Sequence, residues 1–284
     1  MALTCMHNSF IEIFVTKELD NERLDKIMAT RISRRKAKRI IKAGAAFVNR
    51  HRVKIASRKI PAGTQIKFPR ELPAEPPAVD WQKRILHQDD HIIVVNKPQL
   101  WPTDPTLFGD KFCVTAKVGQ IAGIKKLYTV QRLDFHTSGT LLFAKNSRAA
   151  AHLNELFKRQ RIEKYYLAQV GSEVKIGFIK EPISKSGQEQ GRFVVDSKGQ
   201  EAVTEILEST LVENGNYQLK IKLHTGRTHQ IRVHLSHMEA PVIGDPWYGN
   251  SDSPPMLLHS HKIKLNSEIL GQHLWISPLP DYWN

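Results

Sequence analysis

The 284-residue sequence predicts an α+β protein in which a small basic domain precedes a larger domain rich in strands. Three observations support this prediction. A proline-rich stretch at 69–77 has no apolar periodicity and separates two segments of different composition. Before it, apolar residues recur at helical spacing. After it, short runs are either apolar throughout or alternate with polar residues, as strands do. We therefore place the domains at 1–70 and 83–284, joined by a linker at 71–82.

Composition narrows the class of protein. Hydrophobic residues make up 40% of the chain and charged residues 25%, which is ordinary for a soluble globular protein. No apolar run approaches the roughly 20 residues that span a bilayer, and residues 1–10 lack the pattern of a secretory signal. The two cysteines, Cys5 and Cys113, are too few for a disulfide framework and indicate a reducing compartment. We predict a cytoplasmic protein with no membrane segment.

Positive charge is concentrated at the N-terminal end. Residues 1–70 hold 17 of the 42 lysines and arginines but only 5 of the 28 acidic residues, which gives +12 of the total net charge of +14. Such asymmetry favours a dedicated anion-binding module, with nucleic acid as the leading partner. A basic element on a membrane surface is the alternative, but the stretch is short and lacks an aromatic face.

The first domain contains a basic helix. A first helix is predicted near 23–27, then Ser33 is a good N-cap for a second helix over 34–43, and Gly44 a good stop. Apolar residues fall on one side of this second helix, while six basic residues and no acidic one occupy 34–42. A run of this kind is often only a solvated face. We expect it instead to contact an anion through Arg34, Arg35, Lys38, Arg39 and Lys42.

The second domain is organised around a polar turn that leads into an apolar run. Arg132 and Asp134 precede the turn residues 137–139, and the run at 141–144 predicts a buried strand. In an extended segment, residues two apart share a face, so both side chains can project into one cleft. The alternative is that Asp134 only hydrogen-bonds the backbone of the turn.

Further elements follow in order. Strand-like runs at 84–90 and 91–98 predict a hairpin, and a helix capped by Ser147 extends to about 159. Tyr165 and Tyr166 lie on a predicted strand at 164–170, so only one of them can face a cleft. Residues 217–223 alternate as a half-buried strand, and Thr228 can cap a following helix.

Four histidines cluster near this last helix, which raises the question of a metal site. No cysteine or adjacent carboxylate completes a zinc pattern, and we predict no metal. The histidines are His224, His229, His234 and His237.

Two motifs resemble those of the RluA family of RNA pseudouridine synthases. The first is Arg132-Leu133-Asp134-x-x-Thr137-Ser138-Gly139. The second is Thr225-Gly226-Arg227-Thr228-His229-Gln230-Ile231-Arg232, which continues into 241–249 in the manner of that family. The first domain resembles the alpha-L, or S-four-like, RNA-binding motif. The chain departs from the family at three positions, with Gln131 for a histidine, Leu100 for a glycine and Asp104 for a histidine.

The resemblance implies both a fold and a set of roles. The fold is a large mixed, mainly antiparallel sheet with flanking helices and a central catalytic cleft, preceded by a small α/β RNA-binding domain. The implied activity is the isomerisation of specific uridines in structured RNA to pseudouridine. Asp134 is then the catalytic carboxylate, Arg232 its partner and Tyr166 a residue that stacks on the base. Arg132 helps to displace the base from its stack, and Arg227 and His229 bind the substrate nearby.

The implied chemistry needs no cofactor. The reaction exchanges a C–N for a C–C glycosidic bond within one nucleotide, and the sequence contains no phosphate-binding loop or dinucleotide fingerprint. A guanidinium beside a partly desolvated carboxylate keeps it ionised. Covalent attack on the sugar and deprotonation of the ribose both remain open for Asp134, as does proton removal by Tyr166.

Two other functions remain as alternatives. One is a non-catalytic RNA-binding or ribosome-assembly factor on the same fold, and the other is a nucleoside hydrolase with Asp104 as a second acid. For the enzyme, we favour ribosomal RNA as substrate over transfer RNA, and we predict a monomer.

Overall fold

The computed structural model describes residues 9–189, 191–249 and 255–283. These residues pack as two compact units. The first contains residues 9–78 together with Pro102–Gln120, and the second contains Val79–Trp101 and the described residues from 121 onward. The chain first leaves the first unit within the predicted linker at 71–82, but the units are not continuous in sequence. The linear division at 71–82 therefore stays a prediction.

The first unit combines a small antiparallel sheet with helices. The strand order of the sheet is β1-β6-β3-β4, and β2 pairs separately with β5. A 3₁₀ turn at Lys17–Leu19 precedes β2. The elements are β1 (Phe10–Phe14), β2 (Glu22–Arg23), α1 (Leu24–Met28), α2 (Arg34–Lys42), β3 (Ala46–Val48), β4 (His51–Val53), β5 (Lys59–Ile60), β6 (Gln65–Pro69) and, from the later segment, α3 (Val114–Ile121).

Helix α2 forms where the sequence predicts it. The hydroxyl of Ser33 accepts a hydrogen bond from the backbone N–H of Lys36 at 3.3 Å, and Gly44 adopts a left-handed φ of +74° just after the helix. Ala37, Ile40 and Ile41 are buried in the core of the unit. Burial of this stripe leaves the basic side chains on the outer face of α2.

The second unit is built on a ten-stranded sheet. Its main order is β12-β15-β16-β11-β17-β10-β8-β7, with β9 paired to β10 and β18 paired to β17. Among the described strands only β10 and β17 pair in parallel, so the sheet is mixed and mainly antiparallel as predicted. The elements are β7 (Ile85–Gln88), β8 (Ile92–Lys97), β9 (Tyr128–Thr129), β10 (Ser138–Ala144), α4 (Ser147–Lys158), β11 (Ile162–Val170), β12 (Gly177–Ile179), β13 (Ile183–Lys185), β14 (Phe193–Val195), β15 (Thr204–Leu211), β16 (Tyr217–Leu223), α5 (Gln230–His237), β17 (Leu258–Ser267) and β18 (Gly271–Ile276).

Strand β10 is the centre of this unit. All seven of its residues are buried, as its apolar run predicts. At its start Gly139 has a φ of +112°, and a Cβ at this position would lie 2.7 Å from the backbone nitrogen of Ser260 on β17. Only glycine permits this close approach. The loop that precedes β10, which contains Asp134, is thereby held against the middle of the sheet.

Two predicted helix starts are wrong by one residue. Asn146, not Ser147, caps α4, because its side-chain oxygen accepts a hydrogen bond from the backbone N–H of Ala149 at 2.8 Å. Helix α5 follows His229 rather than Thr228. No helix in the described part of the chain is long and apolar enough to cross a membrane. Cys5 lies outside the described residues, whereas Cys113 is buried and forms no disulfide there.

Candidate active site

The Asp134 loop is closed by its backbone, which leaves the carboxylate free for other contacts. The carbonyl oxygen of Asp134 accepts a hydrogen bond from the N–H of Thr137 at 3.1 Å. The side chain keeps 27% of its exposure, and its Oδ2 lies 3.2 Å from Nη1 of Arg232. The alternative in which Asp134 only caps the turn is therefore wrong, because the carboxylate faces a guanidinium.

Lys97 stabilises the Asp134 loop through hydrogen bonds to backbone carbonyl groups. Its side chain is fully buried, and its ammonium donates to the carbonyl oxygens of Thr137 at 2.7 Å and Pro98 at 3.1 Å. Burial lowers the pKa of Lys97 to about 7, although the charge of Asp134 opposes the shift. Lys97 thus stabilises the corner of the chain and does not reach out to a phosphate.

Leu100 also forms a hydrogen bond with the backbone of the Asp134 loop. Its backbone N–H donates to the carbonyl oxygen of Phe135 at 2.8 Å, and its φ is +62°. The left-handed region favours glycine, which is the residue the RluA resemblance implies here. In this chain a leucine adopts that left-handed conformation.

Arg232 on α5 connects two carboxylates. Its Nε and Nη2 donate to Oδ2 and Oδ1 of Asp245 at 2.7 and 2.8 Å, a bidentate pair, while Nη1 points to Asp134. Both Arg232 and Asp245 are buried, with the guanidinium 5.0 Å from the ring centre of Tyr248. Sequence reasoning did not assign a role to Asp245; its signal was a carboxylate in the Gly244–Asp245 turn of the second motif.

The charges in this cluster stabilise one another. Burial alone would lower the pKa of Arg232, but the hydrogen bonds and charges of Asp245 and Asp134 outweigh it and raise the pKa. Burial would raise the pKa of Asp245, but Arg232 and the backbone N–H groups of Trp247 and Tyr248 lower it. The site therefore presents two carboxylates around one permanent cation.

His229 lies beside the same carboxylate. Its Nε2 is 3.9 Å from Oδ2 of Asp134, and its Nδ1 is 2.9 Å from the hydroxyl of Tyr248. Burial lowers the pKa of His229, and the positive charge of Arg232 adds to this against the pull of Asp134. Burial and Arg232 therefore favour the neutral imidazole. Trp247 packs edge-on against the imidazole, with 5.0 Å between the ring centres.

Tyr166 and Tyr165 face opposite sides of β11, as predicted. Tyr165 donates to Glu163 on the outer face of the sheet at 2.5 Å, whereas Tyr166 is only 6% exposed. Burial raises the pKa of Tyr166 to about 12; a hydrogen bond with Ser260 opposes this, and the charge of Asp134 adds to it. The phenol stays protonated near neutrality, which favours stacking over proton removal.

The two remaining predicted cleft residues are exposed. Arg132 has no hydrogen bond or ion pair with any residue that the structure describes. Arg227 donates through Nε to the carbonyl oxygen of Glu201 at 2.8 Å. Gln131, which replaces the histidine of the family pattern, has a buried Nε2 with no partner in the described part of the chain.

The five predicted RNA contacts on α2 divide into two groups. Arg34 pairs with the buried Asp25 at 3.1 Å, and Arg23 reaches the same carboxylate at 2.9 Å, so Arg34 stabilises the first unit. The other four predicted contacts are exposed and form no ion pair with a described residue. These four are Arg35, Lys38, Arg39 and Lys42.

The four histidines do not form a common site. His224 pairs with Glu205 at 2.8 Å, and buried His234 contacts Thr204 and the carbonyl oxygen of Glu181, both at 2.9 Å. His229 contacts Tyr248, and His237 is exposed. Within the described ranges, no group of three or more histidine, cysteine or acidic side chains is placed to hold a metal ion.

Comparison with known proteins connects this geometry to a family. The model of the RNA pseudouridylate synthase family matches residues 91–237, and that of the S4 domain matches residues 22–66. An uncharacterized RNA pseudouridine synthase from Aquifex aeolicus is 34% identical over 275 residues, covering 90% of this chain and 86% of that protein. The ribosomal large subunit pseudouridine synthase D of Haemophilus influenzae is 30% identical over 296 residues, covering 94% and 90%.

Solved structures agree at the level of the fold. Human RNA pseudouridylate synthase domain containing 4 has a TM-score of 0.59 at 23% identity, covering 72% of this chain and 91% of the human chain. Human RNA pseudouridylate synthase domain containing 1 has a TM-score of 0.57 at 26% identity, covering 69% and 83%. The residues matched by the family model include the Asp134 loop and α5.

Proposed function

Since this chain belongs to the RluA type of the RNA pseudouridylate synthase family, we propose that Asp134 is its catalytic carboxylate and Arg232 the partner of Asp134. The chain is an isomerase that acts on RNA. The observation that carries the assignment of Asp134 is its position: a partly exposed carboxylate lies 3.2 Å from a buried guanidinium. Asp245 already neutralises most of the charge of Arg232, so Asp134 is oriented without being tied into a bidentate pair.

The chemistry requires an ionised carboxylate next to the ribose or the base. The bond from C1′ to N1 of uracil breaks, the base turns, and a bond from C1′ to C5 forms. The hydrogen on C5 leaves as a proton, and N1 gains one, so no electrons enter or leave. Attack by Asp134 on the sugar and removal of a ribose proton both begin with the ionised form that Arg232 stabilises.

Neighbouring residues position the base. Tyr166 supplies an aromatic surface with a protonated hydroxyl. Eversion of a uridine costs a few kcal/mol of lost stacking and pairing. Arg132 is exposed and has no partner among the described side chains, so it is free to fill the space that the base vacates and to contact phosphate.

The substrate is RNA, and we propose specific uridines in structured ribosomal RNA. Support comes from the synthase of Haemophilus influenzae, whose name specifies the large ribosomal subunit. The exposed basic face of α2 in the S4 domain is suited to backbone phosphates, which give affinity without reading sequence. Transfer RNA is the alternative substrate, and pseudouridine mapping in a deletion strain distinguishes the two.

The test of Asp134 is a tritium-release assay on RNA that contains uridine labelled at C5. We expect the wild-type protein to release tritium and Asp134→Asn to release none, because the amide can neither attack the sugar nor accept a proton. RNA binding should persist, since the substitution preserves shape and removes no phosphate contact. Filter binding or fluorescence anisotropy measures the affinity.

Asp104→Asn is the matched control. Asp104 is the second acid that only the hydrolase alternative requires, so the same loss of one carboxylate there should leave tritium release unchanged. Full release by Asp134→Asn would refute the assignment of Asp134. Free uracil as a product that disappears in Asp104→Asn would instead support the hydrolase alternative.

A further inference from the structure

A short chain of hydrogen bonds leads from the β13–β14 hairpin to Asp134. The backbone N–H of Phe193 donates to the hydroxyl oxygen of Tyr248 at 3.0 Å, and that oxygen lies 2.9 Å from Nδ1 of His229. The amide of Phe193 can only donate. The single hydroxyl proton of Tyr248 is therefore left to bond elsewhere, and His229 is its one hydrogen-bond partner among the described side chains.

Counting protons determines the tautomer of His229. If Nδ1 carried the proton, the Tyr248 oxygen would receive two donors and its own buried proton would have no acceptor, which costs about 1–3 kcal/mol. If Tyr248 donates to Nδ1, the hydroxyl proton of Tyr248 and the amide proton of Phe193 both have acceptors. The neutral imidazole then carries its proton on Nε2, the nitrogen that faces Asp134.

The imidazole is held firmly in this orientation. Phe193 packs edge-on at 5.8 Å and Trp247 at 5.0 Å between ring centres. His229 has a φ of +57°, a left-handed conformation that a non-glycine residue keeps only where its surroundings impose it. The position immediately before α5 turns the ring towards the site rather than towards solvent.

His229 and Arg232 approach the same oxygen of Asp134. Nη1 of Arg232 lies 3.2 Å from Oδ2, and Nε2 of His229 lies 3.9 Å from it. The second distance is too long for a direct hydrogen bond, but an N–H there attracts the carboxylate, whereas a lone pair would repel it. Oδ1 has no hydrogen-bond partner among the residues that the structure describes.

We propose that Tyr248 holds His229 as the Nε2–H tautomer, that His229 and Arg232 together anchor Oδ2, and that Oδ1 is the oxygen that acts on the substrate. This inference rests on the proposed catalytic role of Asp134. His229 and Tyr248 are positioning residues that act through Asp134 and contact no reacting atom.

The arrangement is sensitive to acid. Protonated His229 has no lone pair on Nδ1 to accept from Tyr248, so the chain breaks when the imidazole gains a proton. The charged groups that face it are Asp134, Arg232 and Asp245, and the Arg192 guanidinium lies 5.3 Å from the ring centre of Tyr248. Activity should therefore fall as pH drops through the pKa of His229, which lies below 6.5.

The first test is NMR on the full-length wild-type protein with ¹⁵N-labelled histidine. His229→Gln identifies the signal of His229. We expect Nε2 to be protonated and Nδ1 to show the shift of a hydrogen-bonded acceptor. Nδ1 as the protonated nitrogen would overturn the proposal, and this measurement does not depend on activity.

The second test compares pH profiles of kcat/KM for tritium release. Tyr248→Phe removes the donor to Nδ1, so the pKa of His229 should rise and the acid limb should move to higher pH. His229→Gln retains an N–H near the position of Nε2 but cannot titrate, so its acid limb should move to lower pH. His229→Phe loses the N–H and should be about tenfold slower than His229→Gln at pH 8.

Tyr165→Phe is the control, because it removes a hydroxyl on the outer face of the sheet and should leave the profile unchanged. Acid limbs that coincide in wild type, Tyr248→Phe and His229→Gln would reject the role of His229. If wild-type protein released no tritium at any pH, the proposed function would fail, whereas the NMR result on the tautomer would still stand.

Discussion

Arg232 illustrates how one residue can serve stability and activity together. A buried guanidinium with no counter-charge is strongly destabilising, and the bidentate pair with Asp245 removes that cost. The remaining N–H on Nη1 can then point at Asp134 without the fold depending on that contact. This division explains how Asp134 can be partly exposed and available to substrate while Asp245 is fully buried.

Leu100 has a strained backbone conformation that the fold tolerates. A leucine at a φ of +62° occupies a conformation that is about 1–2 kcal/mol unfavourable for residues with a Cβ. We expect Leu100→Gly to be about 1 kcal/mol more stable than Leu100→Ala, because both lose the side chain but only glycine relieves the strain. Urea unfolding of the two variants measures the difference.

Gln99 is the matched position for this comparison. It has an ordinary backbone conformation, so Gln99→Ala should be more stable than Gln99→Gly, the reverse order. Equal stability of Leu100→Gly and Leu100→Ala would mean that the loop does not impose the left-handed conformation. Activity of the two Leu100 variants should remain similar, since Phe135 keeps its hydrogen bond from the backbone at position 100.

At the scale of elements, the site depends on two places where the backbone is constrained. Gly139 allows β10 to approach β17 closely. This approach fixes the position of the Asp134 loop, which precedes β10. The left-handed residue His229 starts α5 so that Arg232 points inward from its first turn. Each element carries one half of the ion pair, and neither half is close to the other in sequence.

Helix α2 is the element that we expect to control RNA affinity. Reversal of Arg35 and Arg39 to glutamate should reduce the slope of log K against log salt concentration by about 1.5, because two phosphate contacts are lost. The helix should persist, since both side chains lie on its exposed face and Ser33 still caps it. Anisotropy titrations at several salt concentrations measure the slope.

The control for net charge is the double reversal Arg148→Glu with Lys158→Glu. These exposed residues lie on α4, and their reversal changes the net charge of the protein by the same amount. A control slope that fell as far as that of the α2 variant would attribute the effect to overall charge. An unchanged slope in the α2 variant would place the phosphate contacts elsewhere.

At the scale of the molecule, buried histidines should set its stability in mild acid. His259 is fully buried, with Nδ1 2.8 Å from the hydroxyl of Ser138, and burial lowers its pKa to about 4. The unfolded chain has a pKa of about 6.5 there and binds more protons between these values. Stability should therefore fall by up to about 3 kcal/mol per such group as pH drops from 6.5 to 4.

Denaturation followed by tryptophan fluorescence measures this loss, because all five tryptophans belong to the second unit. His259→Gln should flatten the pH dependence between 6.5 and 4, whereas exposed His91→Gln should not. Glu163 has a pKa lowered to about 2 by its hydrogen bonds with Lys222 and Tyr165, so its contribution is lost only below about pH 4.5. A pH-independent stability from 6.5 to 4 would contradict the prediction.

Local patterns predicted those parts of the molecule that local physics determines. Helix α2 and its cap, strand β16 and the β7–β8 hairpin lie where periodicity and turn residues placed them. The two motifs led to the family, its fold and its activity on RNA. The helix, the strand and the hairpin depend on residues that are close together in the chain, and a single sequence displays these patterns directly.

Other features depend on residues distant in sequence, and these only the tertiary structure decided. The sequence presented Asp245 as part of a motif, but the bidentate ion pair between Asp245 and Arg232 depends on how α5 packs against the turn at 244–248. The sequence also did not place Pro102–Gln120 in the first unit, or show that Leu100 keeps a glycine conformation. Backbone propensity and residue spacing are local quantities, whereas the partner of a buried side chain is selected by the packing of the whole chain. Composition and motifs therefore determined the class of protein. The tertiary structure determined which atoms are in contact.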